Sequence, residues 1–413
     1  MIIHQPEINQ KDGKVILSAH IETQSPSNRF PENLRFEFPE QLAAHVSTQS
    51  NAFAACMALY AMVLGEDLHV HGSTSPKLAY GLQEIIRIFN IWEPQLLTPI
   101  EITYQNFATL PAVTPPSAVA TAFSGGLDSF FTLWEHLPDQ QLIPSARITH
   151  GLFVDGLDFL PENNLNYPAN YQTYSAIFKS LGLELFSAFT NLRSLTYRRI
   201  LWRYLHGAGT LAPALALGNF FGRFYLPATN NYHALTRWST SPVIDHHFST
   251  ETLEIVHHGA AATRIEKLAA LAHWPPVQQH LRVCLQTPAS PMLNNCSHCE
   301  KCLRTMSMLE ILSAYDHFTC FHAPMTKAKI FRWAYSINPD RYDDKETVLY
   351  AAAHGRQDLA RLIRLGALIG RSKTWLSQNT PVWLKHPFKK LLVPGYKKTL
   401  SEAKHAAYYK TGG

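Results

Sequence analysis

Apolar residues are spaced differently in two successive parts of the chain. In residues 1–113, the alternating segment 100–107 predicts a strand, while the apolar run 50–65 is longer than most strands and predicts a buried helix. A Pro-rich segment at 110–118 then interrupts both patterns. We therefore predict an α+β N-terminal domain over residues 1–113.

From residue 119 onward, apolar strands alternate with helical segments. Strands are predicted near residues 119–123, 148–154, 183–189, 223–228 and 254–257, and helices near 129–137, 167–181, 208–221 and 261–272. This alternation is typical of a parallel sheet that is covered by helices on both faces. The prediction for residues 114–283 is therefore an α/β domain with a central parallel sheet.

A cysteine-rich segment, residues 284–324, and a helical region, residues 325–413, complete the predicted organisation. Within the helical region, segment 348–367 predicts a helical hairpin. From Leu359 onward, eleven Lys or Arg residues accompany Glu402 alone, which gives this tail a charge of +10. Because Trp and Tyr are interleaved, the tail is a candidate for binding nucleic acid or an acidic partner protein, and a solvated helical surface stays open.

Composition excludes several broad classes of protein. The chain has 413 residues, of which 46% are hydrophobic and 16% charged, so a core can form and wholesale disorder is excluded. The net charge of +5 does not by itself indicate nucleic acid. The start of the chain lacks the pattern of a signal peptide, and the longest apolar stretch, 53–65, is too short to span a bilayer. We expect a cytoplasmic protein without membrane contact.

The segment Ser124-Gly-Gly-Leu-Asp-Ser129 has the features of a phosphate-binding loop. It follows a predicted strand and precedes an amphipathic helix. Glycines let backbone N–H groups turn toward an anion, and the start of a helix attracts negative charge. Ser129 can donate to phosphate or cap the helix. Asp128 would repel phosphates unless Mg²⁺ lay between them, so Asp128 is a candidate metal-orienting carboxylate.

Four cysteines form the second motif with chemical content. Cys296, Cys299 and Cys302 have CxxCxxC spacing, and Cys284 lies twelve residues upstream of Cys296. Six cysteines in a chain of this length do not form a disulfide scaffold, whereas four thiolates can complete a tetrahedral Zn²⁺ site. An iron–sulfur cluster remains the alternative, because four cysteines alone do not select the metal.

The Ser124–Ser129 segment, SGGLDS, resembles the PP-loop of the ATP pyrophosphatase superfamily, which has the HUP-type fold of adenine nucleotide alpha hydrolases. The resemblance implies cleavage of ATP between its α and β phosphates, adenylation of a substrate carbonyl oxygen, and displacement of AMP by a nitrogen or sulfur nucleophile. Asp128 and Ser129 are the implied catalytic residues. The implied ATP-binding residues are Phe123, Ser124, Gly125, Gly126, Leu127, Asp128 and Ser129.

Together with SGGLDS, the sequence RVCLQ…NCSHCEKCLR is similar to 7-cyano-7-deazaguanine synthase over about residues 119–309. This similarity implies a structural zinc ion, ATP and Mg²⁺. It also implies conversion of 7-carboxy-7-deazaguanine and ammonia into a nitrile, a reaction of queuosine biosynthesis. Larger relatives with added terminal domains, including those in anti-phage defence gene clusters, resemble this layout better than the compact enzyme does.

The candidate substrate residues depart from the synthase pattern. Where the family has basic and amide groups after the second strand, this chain has Asp155 and Asp158, and where it has a Gly-Arg-Asn turn, this chain has His206. Asp245 is a candidate to face the substrate base, and a polar surface loop stays open at that position. Arg264 and Lys267 share a helical face that suits phosphate or a carboxylate, with a solvated helix face as the alternative.

Two functions of different classes follow from these motifs. The first is an ATP-dependent, C–N bond-forming ligase that adenylates a carboxylate or carbonyl of a deazapurine-like substrate for displacement by ammonia or an amine. The second is a nucleotide-dependent binding or sensing module, in which the zinc knuckle and basic tail hold nucleic acid or a partner protein. The acceptor can be a small molecule, a protein or a nucleic acid, and a homodimer stays open.

Overall fold

A computed structural model describes residues 1–109, 116–157, 166–284, 295–337 and 342–379. Strands and helices are numbered in chain order. The strands are β1 (Ile2–Ile3), β2 (Glu7–Lys11), β3 (Lys14–Ala19), β4 (Ile21–Glu22), β5 (Leu34–Pro39), β6 (Leu68–Thr74), β7 (Ile102–Phe107), β8 (Ala118–Ala122), β9 (His150–Asp155), β10 (Glu184–Thr190), β11 (Phe221–Pro227) and β12 (Glu254–His258). The helices are α1 (Asn51–Leu64), α2 (Pro76–Trp92), α3 (Leu127–Glu135), α4 (Tyr167–Ser180), α5 (Leu192–Thr196), α6 (Trp202–Ala216), α7 (Arg264–Leu271), α8 (Pro275–His280), α9 (Glu300–Ile311), α10 (Lys327–Ser336), α11 (Tyr342–Ala353) and α12 (Gln357–Asn379).

The larger sheet is mixed rather than parallel throughout. Within the described residues its strand order is β12-β11-β8-β9-β10-β5-β3-β2. The strands from β12 to β10 are parallel to their neighbours, as expected for strands joined by helices. In contrast, β5 pairs antiparallel with β10, and β3 and β2 continue the sheet antiparallel to their neighbours. The parallel sheet predicted for residues 114–283 is therefore present as β8 to β12, but the complete sheet is mixed because strands from residues 1–113 extend it.

A tight hairpin explains the antiparallel part of the sheet. Strands β2 and β3 are separated only by Asp12 and Gly13, whose φ angles are 52° and 72°. A two-residue turn with two positive φ angles matches the twist of a hairpin and forces its two strands to be antiparallel. The hairpin extends the sheet on the far side of β5, so the N-terminal residues share a sheet with the following α/β unit.

A smaller sheet, the buried helix α1 and the amphipathic helix α2 complete the N-terminal region. The smaller sheet has the order β4-β1-β6-β7. Helix α1 is buried along nearly its whole length, and the Cys56 thiol on it lies 3.8 Å from the Ala208 carbonyl oxygen of α6. The prediction of a buried helix at 50–65 is confirmed. The domain boundary near 113 lies outside the described residues, and the division into domains stays a prediction.

Helices cover both faces of the larger sheet, as predicted. One hydrophobic core contains residues of α1, α2 and α6, and the other contains residues of α3, α4, α7 and α9. The described part of the chain is therefore α/β. No helix in that part combines the length and apolar character needed to cross a membrane.

The order of the parallel strands creates a switch point, and a crevice is expected there at the carboxyl ends of the strands. From β8 the chain continues to β9 and β10 on one side, and then returns to place β11 and β12 on the other side. At such a switch point the loops that follow neighbouring strands leave in opposite directions, and ligands of open α/β sheets bind there. The Ser124–Ser129 segment follows β8, so it lies at this switch point.

The C-terminal helices α10, α11 and α12 contribute residues to the second core. Helices α11 and α12 form the predicted helical hairpin, and α12 also packs against α10. Gly366 and Gly370 of α12 face α10 closely, because a Cβ at Gly370 would lie 2.2 Å from the Tyr335 carbonyl oxygen. The residues after Asn379, which include most of the basic tail, lie outside the described residues.

Candidate functional site

Two glycines form the turn between β8 and α3. Gly125 has a φ of 73°, and a Cβ there would lie 2.0 Å from the Tyr174 hydroxyl oxygen, so both conformation and space require glycine. The Ser129 hydroxyl donates to the Gly126 carbonyl at 2.9 Å and accepts from the Ser124 N–H at 3.3 Å. Ser129 is buried and holds the turn at the start of α3, where the helix attracts anions.

Phe123 and Leu127 flank this turn as core residues. Both side chains are buried, and Phe123 packs edge-on against Phe130, Tyr174 and Phe178. Any contact of these two residues with ATP would therefore use their backbone. Their packing fixes the two ends of the turn relative to the sheet.

Asp128 forms a compact ion cluster with two basic residues of α7. Its Oδ1 accepts from Lys267 Nζ at 2.9 Å, and its Oδ2 accepts from Arg264 Nη1 at 3.1 Å. Lys267 is 2% exposed, and its Nζ also donates to the Ala228 carbonyl at 2.6 Å. One ammonium group therefore links the helix after β8 to the chain that follows β11. We call Asp128, Arg264 and Lys267 the ion cluster.

The charge balance of the ion cluster favours an anionic ligand. Burial by itself would raise the pKa of Asp128, but Lys267 and Arg264 outweigh burial and hold that pKa below its usual range. Asp128 is thus ionised at neutral pH, and the cluster contains two cations and one carboxylate. Arg264 and Lys267 were predicted to contact phosphate or substrate, and the structure brings them directly to Asp128.

Two other candidate substrate residues, Asp155 and His206, lie on elements near the carboxyl ends of the parallel strands, where the glycine turn also lies. Asp155 is the last residue of β9, and its Oδ1 accepts from the Gly156 N–H at 2.8 Å. His206 lies in the first turns of α6, and its Nε2 is buried without a hydrogen-bond partner in the described structure. Burial lowers the pKa of His206 to about 4, so its ring is neutral at pH 7. Asp158 lies outside the described residues.

Asp245 is a core carboxylate that forms a pair with a histidine. It is completely buried in a short 3₁₀ helix, Asp245–Phe248, and its Oδ1 accepts from the Ser241 N–H at 3.1 Å. Its Oδ2 lies 2.6 Å from His257 Nδ1. Burial raises the pKa of Asp245, and the hydrogen bonds from His257 and Ser241 offset part of that effect.

His257 was not among the predicted site residues. Asp245 and His257 are twelve residues apart on different elements, so no local spacing joins them. The predicted strand at 254–257 was the available signal for His257. Neighbouring residues of a strand face opposite sides of the sheet, so His257 and His258 had to point in opposite directions. His258 faces α3, where its Nδ1 lies 3.0 Å from Thr132 Oγ1, and His257 therefore faces the other side of the sheet.

The four predicted cysteine ligands converge in space. The sulfur atoms of Cys284, Cys296, Cys299 and Cys302 all lie within 4.8 Å of one another, so they could hold a metal ion such as zinc. Two of the sulfur pairs, Cys284 with Cys299 and Cys296 with Cys302, are 3.8 Å apart. Tetrahedral zinc with Zn–S bonds of about 2.3 Å requires sulfur separations of about 3.8 Å. The donor set and its spacing fit a single tetrahedral ion.

The local backbone of the cysteine cluster favours thiolate ligands. The Cys299 N–H donates to Cys296 Sγ at 3.3 Å, and Ser297 between them has a φ of 60°. Interactions with the neighbouring Cys302 hold the pKa of the Cys299 thiol below its usual value, although burial acts in the opposite direction. Cys299 is also the residue immediately before α9, and a negative charge is stabilised at the start of a helix.

Hydrogen bonds connect the cysteine cluster to the glycine turn. The Arg282 N–H donates to the Gly125 carbonyl at 2.8 Å, two residues before Cys284. Asn295 Oδ1 accepts from the Val283 N–H at 2.9 Å and from the Cys284 N–H at 3.3 Å. A metal ion at the cysteines would therefore fix the segment that supports the glycine turn, although it would lie outside the turn itself.

No family model, curated protein or solved structure matches this chain. The functional conclusion therefore rests on three features of the described residues. These are a glycine turn at the switch point of the sheet, an ion cluster with excess positive charge beside it, and a four-cysteine cluster that supports it. The excess positive charge suits an anionic ligand at the turn, and a metal ion bound by the four cysteines would occupy their thiolates.

Proposed function

We propose that this chain is an ATP-dependent PP-loop enzyme of the HUP-type fold. It adenylates a carboxylate or carbonyl of a deazapurine-like substrate, releases pyrophosphate and forms a C–N bond with ammonia or an amine. The single observation that carries the proposal is the position of Lys267. Its ammonium group contacts both Asp128, one residue before the end of SGGLDS, and the Ala228 carbonyl beyond β11, so it lies at the crevice between the two strands.

The glycine turn and the ion cluster divide the binding of ATP between them. The turn and the start of α3 present backbone N–H groups to the β and γ phosphates. Lys267 and Arg264 attract the negative charge that grows on the departing pyrophosphate. This attraction is stronger than it would be at the surface, because Lys267 is shielded from water. When bound, Mg²⁺ would supply further charge neutralisation, and Asp128 is the carboxylate that would hold it.

The cysteine cluster has a structural role in this proposal. Its four sulfurs complete a tetrahedral site and leave no open position for substrate. A metal ion bound there would hold the segment around Cys284 in place, and the hydrogen bond from the Arg282 N–H to the Gly125 carbonyl connects that segment to the glycine turn. The spacing of the sulfurs favours zinc over an iron–sulfur cluster, in which each cysteine binds a different iron atom and the sulfurs lie farther apart.

Product analysis with Mg·ATP tests the proposed reaction. The chain is incubated with 7-carboxy-7-deazaguanine and ammonia, and separately with cell extract as a source of macromolecular acceptors. We expect AMP and pyrophosphate that depend on the acceptor, and a loss of about 10²–10³ in rate for Lys267→Met, since one preorganised charge contact contributes about that much. Lys179→Met, on an exposed position of α4, is the matched control. ADP and phosphate as products would contradict the PP-loop assignment.

One observation favours the second candidate, a nucleotide-binding module without turnover. Both Asp128 oxygens are engaged by cations, which is a stable arrangement without any metal ion. Asp128→Asn separates the two candidates. In an enzyme this change abolishes turnover while nucleotide binding survives, because the two basic residues remain. A binding module would retain its nucleotide affinity and show no acceptor-dependent AMP in either form of the chain.

A further inference from the structure

The Asp245–His257 pair leaves one buried imidazole nitrogen without a partner. The His257 side chain is 6% exposed, and its Nε2 is buried with no hydrogen-bond partner in the described part of the chain. A buried polar atom without a partner is unfavourable and is retained mainly where it has a role. No part of the proposed binding of ATP uses this nitrogen.

The hydrogen bond to Asp245 determines what His257 Nε2 can do. An ionised carboxylate only accepts hydrogen bonds, so the hydrogen of a neutral His257 ring lies on Nδ1, 2.6 Å from Asp245 Oδ2. Nε2 then has a free lone pair and can accept a proton. The Ser241 N–H holds the other Asp245 oxygen and so fixes the carboxylate plane. A base held by a carboxylate in this way is typical of general acid–base sites.

His257 lies near the carboxyl edge of the sheet that carries the glycine turn. It is level with Leu226 in β11, one residue before the end of that strand. On its face of the sheet, α6 begins beside the loop that leads to Asp245, because a Cβ at Gly207 would lie 2.0 Å from the Ser239 carbonyl oxygen. His206, whose Nε2 is also buried and unpartnered, precedes Gly207. Two buried imidazole nitrogens without partners in the described residues therefore lie on β12 and α6, which both pack against the 3₁₀ helix of Asp245.

We propose that His257, held in place by Asp245, is the general base for the amine in the second half of the reaction. This inference rests on the proposed function. The amine nitrogen forms a bond to the acyl carbon of the adenylated substrate, and the bond from that carbon to the AMP oxygen breaks with its electron pair on AMP. The proton lost by the amine passes to His257 Nε2 and then to solvent. His257 is the catalytic residue and Asp245 is a positioning residue.

The test separates adenylation from amine transfer. The variant His257→Asn keeps an N–H that can donate to Asp245 and removes the Nε2 base. Exchange of labelled pyrophosphate into ATP, with 7-carboxy-7-deazaguanine and no amine, measures adenylation. Amide or nitrile formation with ammonia measures transfer, and hydroxamate formation with hydroxylamine measures transfer to a nucleophile that attacks as the free base at neutral pH. His246→Asn, an exposed position on the same 3₁₀ helix, is the control.

We expect His257→Asn to retain pyrophosphate exchange and to lose about 10²–10⁴ in the rate with ammonia, the usual contribution of a general base. The rate with hydroxylamine falls much less. Transfer to ammonia at the rate of the unmodified chain overturns the inference, and so does a parallel loss of exchange and of both transfers. If the unmodified chain exchanges no pyrophosphate, the proposed function fails and this inference fails with it.

Asp245→Asn tests the positioning role by a spectroscopic signature. The Ser241 N–H requires an oxygen at one side of residue 245, so the asparagine NH₂ group faces His257 Nδ1 and moves the ring hydrogen to Nε2. Nitrogen-15 NMR of labelled histidine should show an Nδ1-protonated ring in the unmodified chain and an Nε2-protonated ring in the variant. Transfer to ammonia should fall together with that change. An unchanged tautomer with a normal transfer rate overturns the positioning role.

Discussion

Two clusters of ionisable side chains adjoin the glycine turn, and they balance their charge in different ways. The ion cluster contains its own counter-charges, since Asp128 is bonded to both Lys267 and Arg264. The cysteine cluster brings four thiols within 4.8 Å of one another, and four thiolates at that separation would require a metal cation between them. The ion cluster should therefore lose stability when one of its side chains is removed, whereas the cysteine cluster should lose stability when its metal ion is lost.

The largest expected effect is on the cysteine cluster. Cys302→Ser removes a fully buried ligand, and we expect the chain to lose its stoichiometric metal and much of its cooperative unfolding transition. Structural zinc in small domains contributes about 10–16 kcal/mol of apparent binding free energy, which is comparable to the stability of a whole domain. Metal analysis and thermal unfolding measure both effects.

The control for this change is Cys56→Ala, in α1 and away from the cysteine cluster. This variant should retain the metal and unfold only slightly earlier. Metal content and an unfolding temperature in Cys302→Ser equal to those of the unmodified chain would show that the cysteine cluster is an ordinary part of the core.

A smaller effect is expected from breaking the ion cluster. Lys267→Met leaves Asp128 with Arg264 alone, and removing one partner of a buried ion pair costs about 3 kcal/mol of the free energy of unfolding. Adding Asp128→Asn to Lys267→Met should recover part of that loss, because the uncompensated carboxylate is then gone. Denaturant unfolding of the single and double variants measures the coupling.

The result that would contradict this prediction is additivity of the two changes in the free energy of unfolding. If the two changes destabilise the chain independently, Asp128 and Lys267 do not interact in solution. Metal content should be unchanged in both variants, which distinguishes them from the cysteine variant and keeps the two clusters separate.

The smallest of these effects is the contribution of His206 to the pH dependence of stability. Burial lowers the pKa of His206 to about 4, whereas the unfolded chain has a histidine pKa of about 6.5. Between these values the unfolded state binds a proton that the folded state does not, so stability decreases as the pH falls from about 6.5 to 4. Because the ring is only partly buried, we expect about 1–2 kcal/mol over this window.

His206→Leu should flatten the pH dependence of the free energy of unfolding between pH 6.5 and 4, and His246→Leu, at an exposed position, should leave it unchanged. His136, whose pKa burial also lowers to about 4, contributes equally to all three chains and cancels in the comparison. Identical pH profiles for the unmodified chain and His206→Leu would contradict the lowered pKa of the His206 ring.

The parallel strands and the cysteine cluster could be predicted because their signals are local. β8 to β12 are short apolar runs separated by helical spacing, and CxxCxxC brings three sulfurs together through turns of a few residues. The antiparallel strands were missed because β5 pairs with β10, about 150 residues later in the chain, and no pattern within either strand specifies that partner. Asp12-Gly13 was the one local signal for the hairpin.

The partners within the site were harder to predict than its residues. Asp128, Arg264, Lys267 and Asp245 all carried a recognisable signal, but their contacts depend on how α7 and the 3₁₀ helix pack against the sheet. Arg264 and Lys267 were correctly placed on one face of α7, and that face contacts Asp128. His257 shows the limit most clearly, since its partner is determined by tertiary packing alone.

The transfer of a labelled oxygen tests adenylation of a carboxylate most directly. 7-Carboxy-7-deazaguanine labelled with oxygen-18 in its carboxylate is incubated with the chain, Mg·ATP and ammonia, and the AMP is recovered for mass spectrometry. Attack of the carboxylate on the α phosphate followed by displacement of AMP transfers one labelled oxygen to AMP, which is the predicted result. AMP without label, formed at the same rate, would show that water or another group attacks ATP and would contradict the proposed reaction.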